Sequence, residues 1–599
     1  MEIYFGLEVH QQLETRKLHC CCPSVISDKV DHKIRRELHV REGELREKDI
    51  AAMYEELKKR YYEYEISPEY CCLVELDEEP PRPPNPEALK IALEVARIFD
   101  AEIVDRIYVM RKTIIDGSNV SGFQRTMLVA YDGRIIVDGQ EVRIATICLE
   151  EDAARKITVL EDKTVYRLDR LGIPLVEIST EMIKGTPKFA RKVAEEIGLA
   201  LRMLGKVKRG LGTIRQDVNV SIPGGNRVEL KGVPKLELIE KALELEAVRQ
   251  QRLLDLREEL KKRGVSAEDF AEPRIQDVTE LLQATESRLV QAALSRGEKA
   301  LALAVPGFAG LFVHEILPGK RFGKELAEML TQLTGFKGLL HSDEICKYGI
   351  SEKEILELKK LLELGERDGF IIILGKPERV RAALELLWSR IKQCLEGVPR
   401  EVRKVLEDGS SAFLRPLPGA ARMYPETDIP PIDPGQYIKD LEQVPPIWQL
   451  REKYRQLGLP EEIITELLRE ASWRLLEKLL QEGAAPLDAA KILAYEIPRV
   501  EEKLGKKLPT EKKLELARFL LLHQPSLKFL LEIINYAEKN ACSLEEALKR
   551  LHPPKEEILQ VIESLGIMDE REIIKALMKK YSGRVDARLV KELLVSRCK

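Results

Sequence analysis

Three polar side chains recur at alternate positions near the start of the chain: Glu8, His10 and Gln12. The alternating positions before and between them are apolar: Ile3, Phe5, Leu7 and Val9. Because successive side chains of a strand point to opposite faces, this pattern predicts a strand with an acid and an imidazole on one face. An ordinary half-exposed strand is the alternative for a single segment of this kind.

The alternation is repeated in other segments that carry charged residues. Residues 214–222 alternate apolar positions with four polar ones: Arg215, Asp217, Asn219 and Ser221. Residues 144–152 end in the acids Glu150, Glu151 and Asp152, and residues 173–178 place Glu177 between two apolar positions. Several strands are therefore expected to bring carboxylates to one region.

Carboxylates that lie close together repel one another and raise each other's pKa, so a bound cation is their natural compensation. Glu8, His10, Glu150 and Glu177 form a plausible oxygen-rich site with one nitrogen. Mg²⁺ shared with substrate phosphates fits this set better than an all-protein cage. The alternative is a set of separate, solvated acids.

Basic residues that could neutralise a transferred phosphoryl group include Arg215 and the alternating segment 227–231, which ends in Lys231. The sequence has neither a Walker loop nor a G-x-G-x-x-G turn where a nucleotide fold requires one. Backbone N–H donors could come from the loop around Gly117, Ser118 and Asn119, although such a loop is more often a plain turn.

The chain has ten cysteines, five of which form two groups: Cys20, Cys21 and Cys22, then Cys71 and Cys72. A zinc site built from Cys20, Cys22, Cys71 and Cys72 is possible, but the second pair lacks C-x-x-C spacing. Thiols or metal ligands are favoured over a disulfide framework, because the chain is long and has no secretory signal layout.

The 599 residues predict several domains, and no apolar run approaches the length of a membrane span. We therefore expect a cytoplasmic protein without a membrane partner. The net charge of −4 does not identify a nucleic-acid binder. A local basic excess does occur in residues 571–599, with nine Lys or Arg against three Asp or Glu, although it could be only a solvated face.

Changes of pattern along the chain predict an α+β protein with five segments. Residues 1–285 read as a catalytic domain of mainly antiparallel strands, and residues 286–405 as an inserted α+β module. Residues 406–440 read as an irregular return to the catalytic domain with a linker. Residues 441–545 and 546–599 show helical spacing and are predicted to be a helical domain and a small helical tail.

Several motifs in a fixed order resemble the family of B-type and E-type synthetase-like subunits of tRNA-dependent amidotransferases. They are GLEVHQQLETRKLHC from Gly6, RKTIIDGSNVSGFQRT from Arg111, ICLEEDAAR from Ile147, DRLGIPLVEIST from Asp169, GTIRQDVNVSI from Gly212, RVELKG from Arg227 and GRVDARLVKELL from Gly583. The resemblance covers nearly the whole chain. The adjacent Cys71 and Cys72, Cys148 before the acids, and the inserted module fit the archaeal E type better than the bacterial B type, and the same departures put the family's zinc site in doubt.

The resemblance implies a cradle-like catalytic domain, a module similar to one in bacterial-type aspartyl-tRNA synthetases, and ATP-dependent conversion of Glu-tRNA(Gln) to Gln-tRNA(Gln). This is a ligase reaction that forms a carbon–nitrogen bond with glutamine as amido donor. His10, Glu150 and Glu177 would bind Mg²⁺ with Glu8 nearby. The residues expected to bind ATP or the glutamyl group are Arg215, Asp217, Asn219, Ser221 and Lys231.

Ammonia would come through a tunnel from an asparaginase-like glutaminase, the D-type partner of this family, in a complex of two D-type and two E-type subunits. The sequence shows no recognisable amidase or glutaminase catalytic set of its own. Two alternatives remain: a bacterial B-type protein acting on Asp-tRNA(Asn) and Glu-tRNA(Gln), and a tRNA-binding protein without catalysis.

Overall fold

The structure, a computed structural model, describes residues 2–40, 42, 47–56, 60–160, 162–233, 235–417, 422–565, 569–581 and 584–597. The chain divides into two compact units. Unit 1 comprises residues 1–198 and 206–444, and unit 2 comprises residues 199–205 and 445–599.

Unit 1 contains all the strands that the described residues form. In chain order they are β1 (Ile3–Gln12), β2 (His32–Arg36), β3 (Tyr61–Ile66), β4 (Glu102–Ile103), β5 (Val109–Thr113), β6 (Phe123–Val137), β7 (Gln140–Glu151), β8 (Arg155–Val159), β9 (Lys163–Arg167), β10 (Pro174–Thr180), β11 (Ile183–Gly185), β12 (Ile214–Ser221), β13 (Val228–Val233), β14 (Ile275–Asp277), β15 (Lys299–Val305), β16 (Glu315–Leu317), β17 (Lys320–Arg321), β18 (Leu340–His341), β19 (Gly369–Gly375), β20 (Glu401–Val405), β21 (Ser411–Pro416) and β22 (Met423–Pro425).

Helices follow or separate these strands. They are α1 (Ile50–Glu56), α2 (Pro86–Ile98), α3 (Pro187–Arg202), α4 (Leu236–Lys262), α5 (Arg288–Leu294), α6 (Phe322–Thr334), α7 (Glu352–Leu361), α8 (Pro377–Lys392) and α9 (Gly435–Ile438). The first turn of α2 shows how local sequence sets a boundary. The Asn85 side chain accepts a hydrogen bond from the Glu87 N–H, and Pro86 needs no such partner.

The main sheet has 12 strands, in the order β21-β20-β13-β12-β1-β10-β7-β6-β5-β22, with β11 beside β1 and β4 beside β6. Its strand β1 has the predicted alternation, because Ile3, Phe5, Leu7 and Val9 are buried while Glu8 and His10 are partly exposed. Strands β10 and β12 flank β1 in antiparallel register. The predicted α+β class with an antiparallel catalytic sheet is confirmed.

A second sheet, β2-β3-β9-β8, carries three buried tyrosines that fix a loop of the catalytic domain. The hydroxyls of Tyr62, Tyr166 and Tyr64 each donate to a backbone carbonyl of residues 115, 116 and 117 in turn, over 2.8 Å. Gly117 has a φ of +83°, and a Cβ there would lie 2.1 Å from the Tyr62 ring. Packing and a left-handed backbone therefore account for this glycine.

Residues 275–375 contain the separate sheet β14-β15-β19-β18, which packs with α5, α7 and neighbouring turns around an apolar core. This is the predicted α+β module. Its first strand, β14, precedes residue 286, and β20 already lies in the main sheet, parallel to β13, before residue 406. The five predicted segment boundaries remain a prediction.

Residues 406–440, which were predicted to return to the catalytic domain as an irregular segment, contain two strands of the main sheet. Strand β21 pairs with β20, and the short strand β22 pairs with β5 at the other end of the sheet. The prolines of this segment do not prevent these strands from forming, because β21 and β22 stand at the two edges of the main sheet, where the missing N–H of Pro416 and Pro425 is tolerated.

Six charged side chains form a buried arginine–glutamate cluster at the junction of the module with α4 and the main sheet. They are Glu246, Arg249, Glu325, Arg390, Glu401 and Arg403. Glu325 of α6 accepts hydrogen bonds from all three arginines, with distances of 2.8 Å from Arg249 and Arg390 and 3.2 Å from Arg403. Three positive and three negative groups thus balance one another out of solvent.

Unit 2 is helical in its described residues. Its helices after the short segment 199–205 are α10 (Ile447–Gln456), α11 (Glu461–Arg469), α12 (Trp473–Gln481), α13 (Pro486–Lys491), α14 (Ile497–Leu504), α15 (Thr510–Leu522), α16 (Leu527–Asn540), α17 (Leu544–Leu551), α18 (Lys555–Ser564), α19 (Glu570–Lys580) and α20 (Ala587–Arg597). A π-helical segment, Ile492–Glu496, joins α13 to α14. Ser543 and Glu546 form a capping box at the start of α17.

The last helices of unit 2 enclose a small core of their own, made mainly of Ile558, Ile562, Ile573, Leu577 and Val590. The predicted helical C-terminal region is confirmed. Among the described helices of the whole chain, none is long and apolar enough to cross a membrane.

Candidate functional site

Strand register explains why distant residues meet on one face of the main sheet. His10 lies opposite Glu177 of β10 and Arg215 of β12, while Glu8 lies opposite Asp217. Farther along the same face, Leu175 of β10 pairs with Glu150 of β7, the strand next to β10. The period-two pattern therefore becomes a polar stripe across neighbouring strands.

This stripe forms the floor of a cavity of about 430 Å³, a size suited to a nucleotide-scale ligand. Of the predicted site residues, those that line it are Glu8, His10, Ser118, Glu150, Glu177, Arg215, Asp217 and Lys231. The structure thus brings together the predicted metal and catalytic residues.

Four predicted binding residues lie elsewhere. Gly117 and Asn119 do not line the cavity, and Asn119 is buried against a separate small cavity beside His19. Asn219 lies on the same face of β12 as Asp217, outside the cavity wall, and donates to Glu8 over 2.9 Å. Ser221 pairs with Tyr4, four residues before Glu8 on β1, and is also absent from the cavity wall.

His10, Glu150 and Glu177 form the first group that could hold a metal ion, which we call the metal triad. Their ligand atoms all lie within 4.8 Å of one another. His10 Nε2 is 3.1 Å from Glu177 Oε2. One nitrogen and two carboxylates in a polar cavity suit a divalent cation such as Mg²⁺, which accepts mainly oxygen ligands and keeps some water.

The charges around the metal triad shift the pKa values of His10 and Glu177. Burial alone would lower the pKa of His10, but the hydrogen bond and negative charge of Glu177 outweigh it and raise that pKa. Burial would raise the pKa of Glu177, yet the Lys112 ammonium and His10 hold it well below its ordinary value. The site therefore favours an ionised carboxylate beside a cationic partner.

A second acidic group, Glu8, Asp217 and Glu229, lies on the other side of the cavity floor. Lys231 neutralises part of it, since its Nζ is 2.7 Å from Asp217 and 2.5 Å from Glu229. Burial, followed by the charges of Glu177 and Glu229, raises the pKa of Glu8. Asp217 differs from Glu8, because the Lys231 ammonium outweighs burial and lowers the pKa of Asp217.

Arg215 is held by Asp152, the last of the three consecutive acids that follow Leu149 of β7. Its guanidinium donates to both carboxylate oxygens, over 2.8 and 3.2 Å. Gln12 donates to the same carboxylate over 2.7 Å. Asp152 is fully buried, so its role in the structure is to fix the guanidinium at the edge of the cavity.

Sequence reasoning missed several cavity residues. Lys112 and Gln124 both contact Glu150, over 2.5 and 3.1 Å, and belong to the motif that begins at Arg111. Their place in that motif was the available signal, because neither β5 nor the start of β6 alternates apolar with polar positions. Arg415 and Arg422 reach the cavity from the return segment, where nothing local marked them as site residues.

The cysteines form a further candidate metal group. Cys20, Cys22 and Cys72 lie together with Glu75, their ligand atoms within 4.8 Å of one another. Glu75 takes the place that the sequence suggested for Cys71, whose thiol instead points to the Cys72 carbonyl. A hydrogen bond from Cys20 lowers the pKa of Cys22 to about 7, which favours a thiolate.

Comparison with known proteins identifies the family of the chain. A family model described as the GatB/GatE catalytic domain matches residues 3–439. The glutamyl-tRNA(Gln) amidotransferase E subunit of Pyrobaculum aerophilum is 43% identical over 98% of each chain, and the Pyrococcus furiosus protein of the same name is 43% identical over 97% of this chain and 91% of its own. The protein of that name from Methanocaldococcus jannaschii is 51% identical over 71% of this chain and 68% of its own. The chain therefore belongs to the GatB/GatE family, in its GatE group.

Proposed function

We propose that this chain is the synthetase-like subunit that converts glutamate on misacylated Glu-tRNA(Gln) into glutamine at the expense of ATP. The observation that carries the proposal is the cavity itself, where a metal triad faces several basic side chains on one sheet. The names of the GatE relatives supply the substrate. A pure RNA-binding protein has no use for such an acidic cluster.

The reaction proposed has two steps. The γ-phosphate of ATP is transferred to the side-chain carboxylate of the tRNA-bound glutamate, and ammonia then displaces phosphate to leave the amide. Phosphoryl transfer depends mainly on positioning and on neutralising charge. A Mg²⁺ bound by His10, Glu150 and Glu177 would supply Lewis-acid charge neutralisation at the phosphates.

The chain's own residues have defined tasks in this scheme. Arg215, fixed by Asp152, and Lys231, fixed by Asp217, offer cationic groups for phosphate or glutamyl oxygens. Ser118 also lines the cavity, but its hydroxyl donates to Asp116 over 2.5 Å and would have to leave that partner to donate to the ligand. Glu8 lies on the acidic side of the cavity, where Asn219 holds its carboxylate in place by a hydrogen bond of 2.9 Å.

The ammonia is proposed to come from an asparaginase-like glutaminase, the D-type partner, in a cytoplasmic assembly of two D-type and two E-type subunits. The relatives' shared name supports an amidotransferase made of several subunits. The tRNA body is proposed to lie against the helical unit, where exposed lysines of α19 provide phosphate contacts. Zinc is proposed at Cys20, Cys22, Cys72 and Glu75.

The test supplies the purified chain with Glu-tRNA(Gln), ATP and ammonium chloride, so that free ammonia replaces the glutaminase partner. Formation of Gln-tRNA and of ADP that depends on Glu-tRNA is the expected result. His10→Ala should reduce ADP formation at least about a hundredfold while tRNA affinity changes less than about threefold. His39→Ala is the matched control, because the His39 side chain is 73% exposed and lies outside the cavity.

Two outcomes would contradict the proposed reaction, and a third would change the proposed substrate range. ADP formation that is independent of Glu-tRNA would remove the tRNA-linked substrate from the scheme. Unchanged activity of His10→Ala would show that the triad takes no part in the reaction. Amidation of Asp-tRNA(Asn) at a comparable rate would favour the substrate range of a bacterial B-type protein.

A further inference from the structure

The ammonium of Lys112 lies among the ligand atoms of the metal triad. Its Nζ is 2.5 Å from Glu150 Oε1 and 3.6 Å from Glu177 Oε2, the oxygen that also contacts His10. The Lys112 side chain is only 18% exposed. A positive charge of the protein itself thus stands at the position that the two carboxylates offer to a cation.

The ammonium and a divalent ion cannot share this position. A Mg²⁺ bound to the same oxygens would lie about 2.1 Å from them, well inside the contact distance of an ammonium group. Two cations so close in a partly buried site also repel strongly. Binding of the ion by the triad therefore requires that the Lys112 head group moves away from Glu150.

The cavity offers a place for the displaced head group. Lys112 lines the same cavity as Arg415 and Arg422, and the cavity volume of about 430 Å³ exceeds what a lysine head group needs. The basic groups in this cavity would neutralise the phosphates of a nucleotide.

We propose that Lys112 is an internal counter-ion of the metal triad, which a divalent ion displaces so that the ammonium becomes available to a phosphate of the nucleotide. This inference rests on the proposed function for the identity of the nucleotide. It assigns Lys112 two successive partners, first Glu150 and Glu177, then phosphate. The ammonium offsets one of the two carboxylate charges before the ion arrives, and ion binding and phosphate binding become coupled.

The test measures Mn²⁺ binding to the full chain without ATP or tRNA, by electron paramagnetic resonance of free Mn²⁺. Lys112→Met removes the competing charge and should tighten Mn²⁺ binding at least about tenfold. Arg422→Met is the matched control. It removes one positive charge from the same cavity, but the Arg422 side chain donates to the Thr113 carbonyl and not to a triad oxygen. Its effect should stay below about threefold.

A second measurement tests whether the Lys112 ammonium contacts a phosphate of the nucleotide once the metal ion is bound. At saturating Mn²⁺, Lys112→Met should bind a non-hydrolysable ATP analogue at least about tenfold more weakly than the unaltered chain. Lys112→Gln, which keeps a polar head group near Glu150, should shift both affinities in the same directions. It replaces Lys112→Met if that variant does not fold.

Each adverse result has a separate meaning. If Lys112→Met binds Mn²⁺ no more tightly than Arg422→Met does, Lys112 is not a counter-ion that the metal displaces. If the analogue binds equally well, the ammonium does not pass to phosphate. If His10→Ala binds Mn²⁺ as tightly as the unaltered chain, the ion is not held by the triad, and the metal assignment of the proposed function fails instead.

Discussion

Replacing Glu325 by Gln should destabilise unit 1 by about 3 to 5 kcal/mol. The side chain is 1% exposed and accepts hydrogen bonds from Arg249, Arg390 and Arg403. The neutral amide would leave three buried guanidinium groups facing two carboxylates, and an uncompensated buried charge costs about this much. Glu385→Gln is the control, because Glu385 is exposed on α8 and should change stability by less than about 0.5 kcal/mol.

The chain offers a local reporter for this measurement. Of its three tryptophans, only Trp388 belongs to unit 1, and it lies on α8 two residues before Arg390. With Trp448 and Trp473 replaced by Phe, the fluorescence of Trp388 follows the unfolding of unit 1 in urea. Both glutamate variants are compared in that background, so any effect of the two Phe substitutions cancels.

The loss of stability caused by Glu325→Gln should also depend on pH in a defined way. The three arginines outweigh burial and hold the pKa of Glu325 well below its ordinary value of 4.5. A depressed folded pKa gives stability that is present above 4.5 and is lost as the pH falls through the folded value. The difference between the unaltered chain and Glu325→Gln should therefore persist from pH 8 to pH 5. A loss below about 1 kcal/mol, or an equal loss in Glu385→Gln, would refute the reasoning.

Three further predictions concern other parts of the chain. Glu426 has a pKa of about 2 because Arg111 and Arg125 outweigh its burial. Glu426→Gln should therefore cost about 2 kcal/mol at pH 7, by urea unfolding, and the difference should shrink as the pH falls from 4.5 to 2; a constant difference would contradict this. Neutralising the exposed lysines at 575, 579 and 580 together should lower the slope of log tRNA affinity against log salt by about two units, by filter binding, and an unchanged slope would mean that they do not touch phosphate. Cys22→Ser should release zinc from the purified chain, by metal analysis, while amidation with ammonium chloride falls less than about threefold; retained zinc would place the ion elsewhere.

The sequence predicts the catalytic strands well because their information is local. In β1 the buried and exposed positions alternate as the apolar and polar residues do, and Glu177 of β10 follows the same rule, whereas Glu150 and Glu151 of β7 are buried although they are acids. The order of the sequence motifs along the chain then indicated the protein family. The polar face of the site, including His10 and Glu177, could therefore be predicted before the strands were paired.

What could not be predicted depends on contacts between distant segments. Arg422 reaches the cavity only because the chain returns to the sheet some 200 residues after β12. The loop at Gly117 looks like a phosphate-binding loop until three tyrosines of another sheet are seen to hold it. Glu75 is different, because it stands three residues after Cys72, and this local C-x-x-E spacing was an available signal for the fourth member of the cysteine group.

The parallel pairing of β13 with β20 limits how the module can be removed. Antiparallel neighbours can be joined by a tight turn, but parallel neighbours need a crossover of a dozen or more residues from the end of one strand to the start of the next. The chain makes this crossover through α4 and the module. A shortened version should keep α4, whose Gln250 is hydrogen-bonded to the backbone of β12, as the return path. Joining Val233 directly to Glu401 would instead force β20 to reverse its direction or leave the sheet.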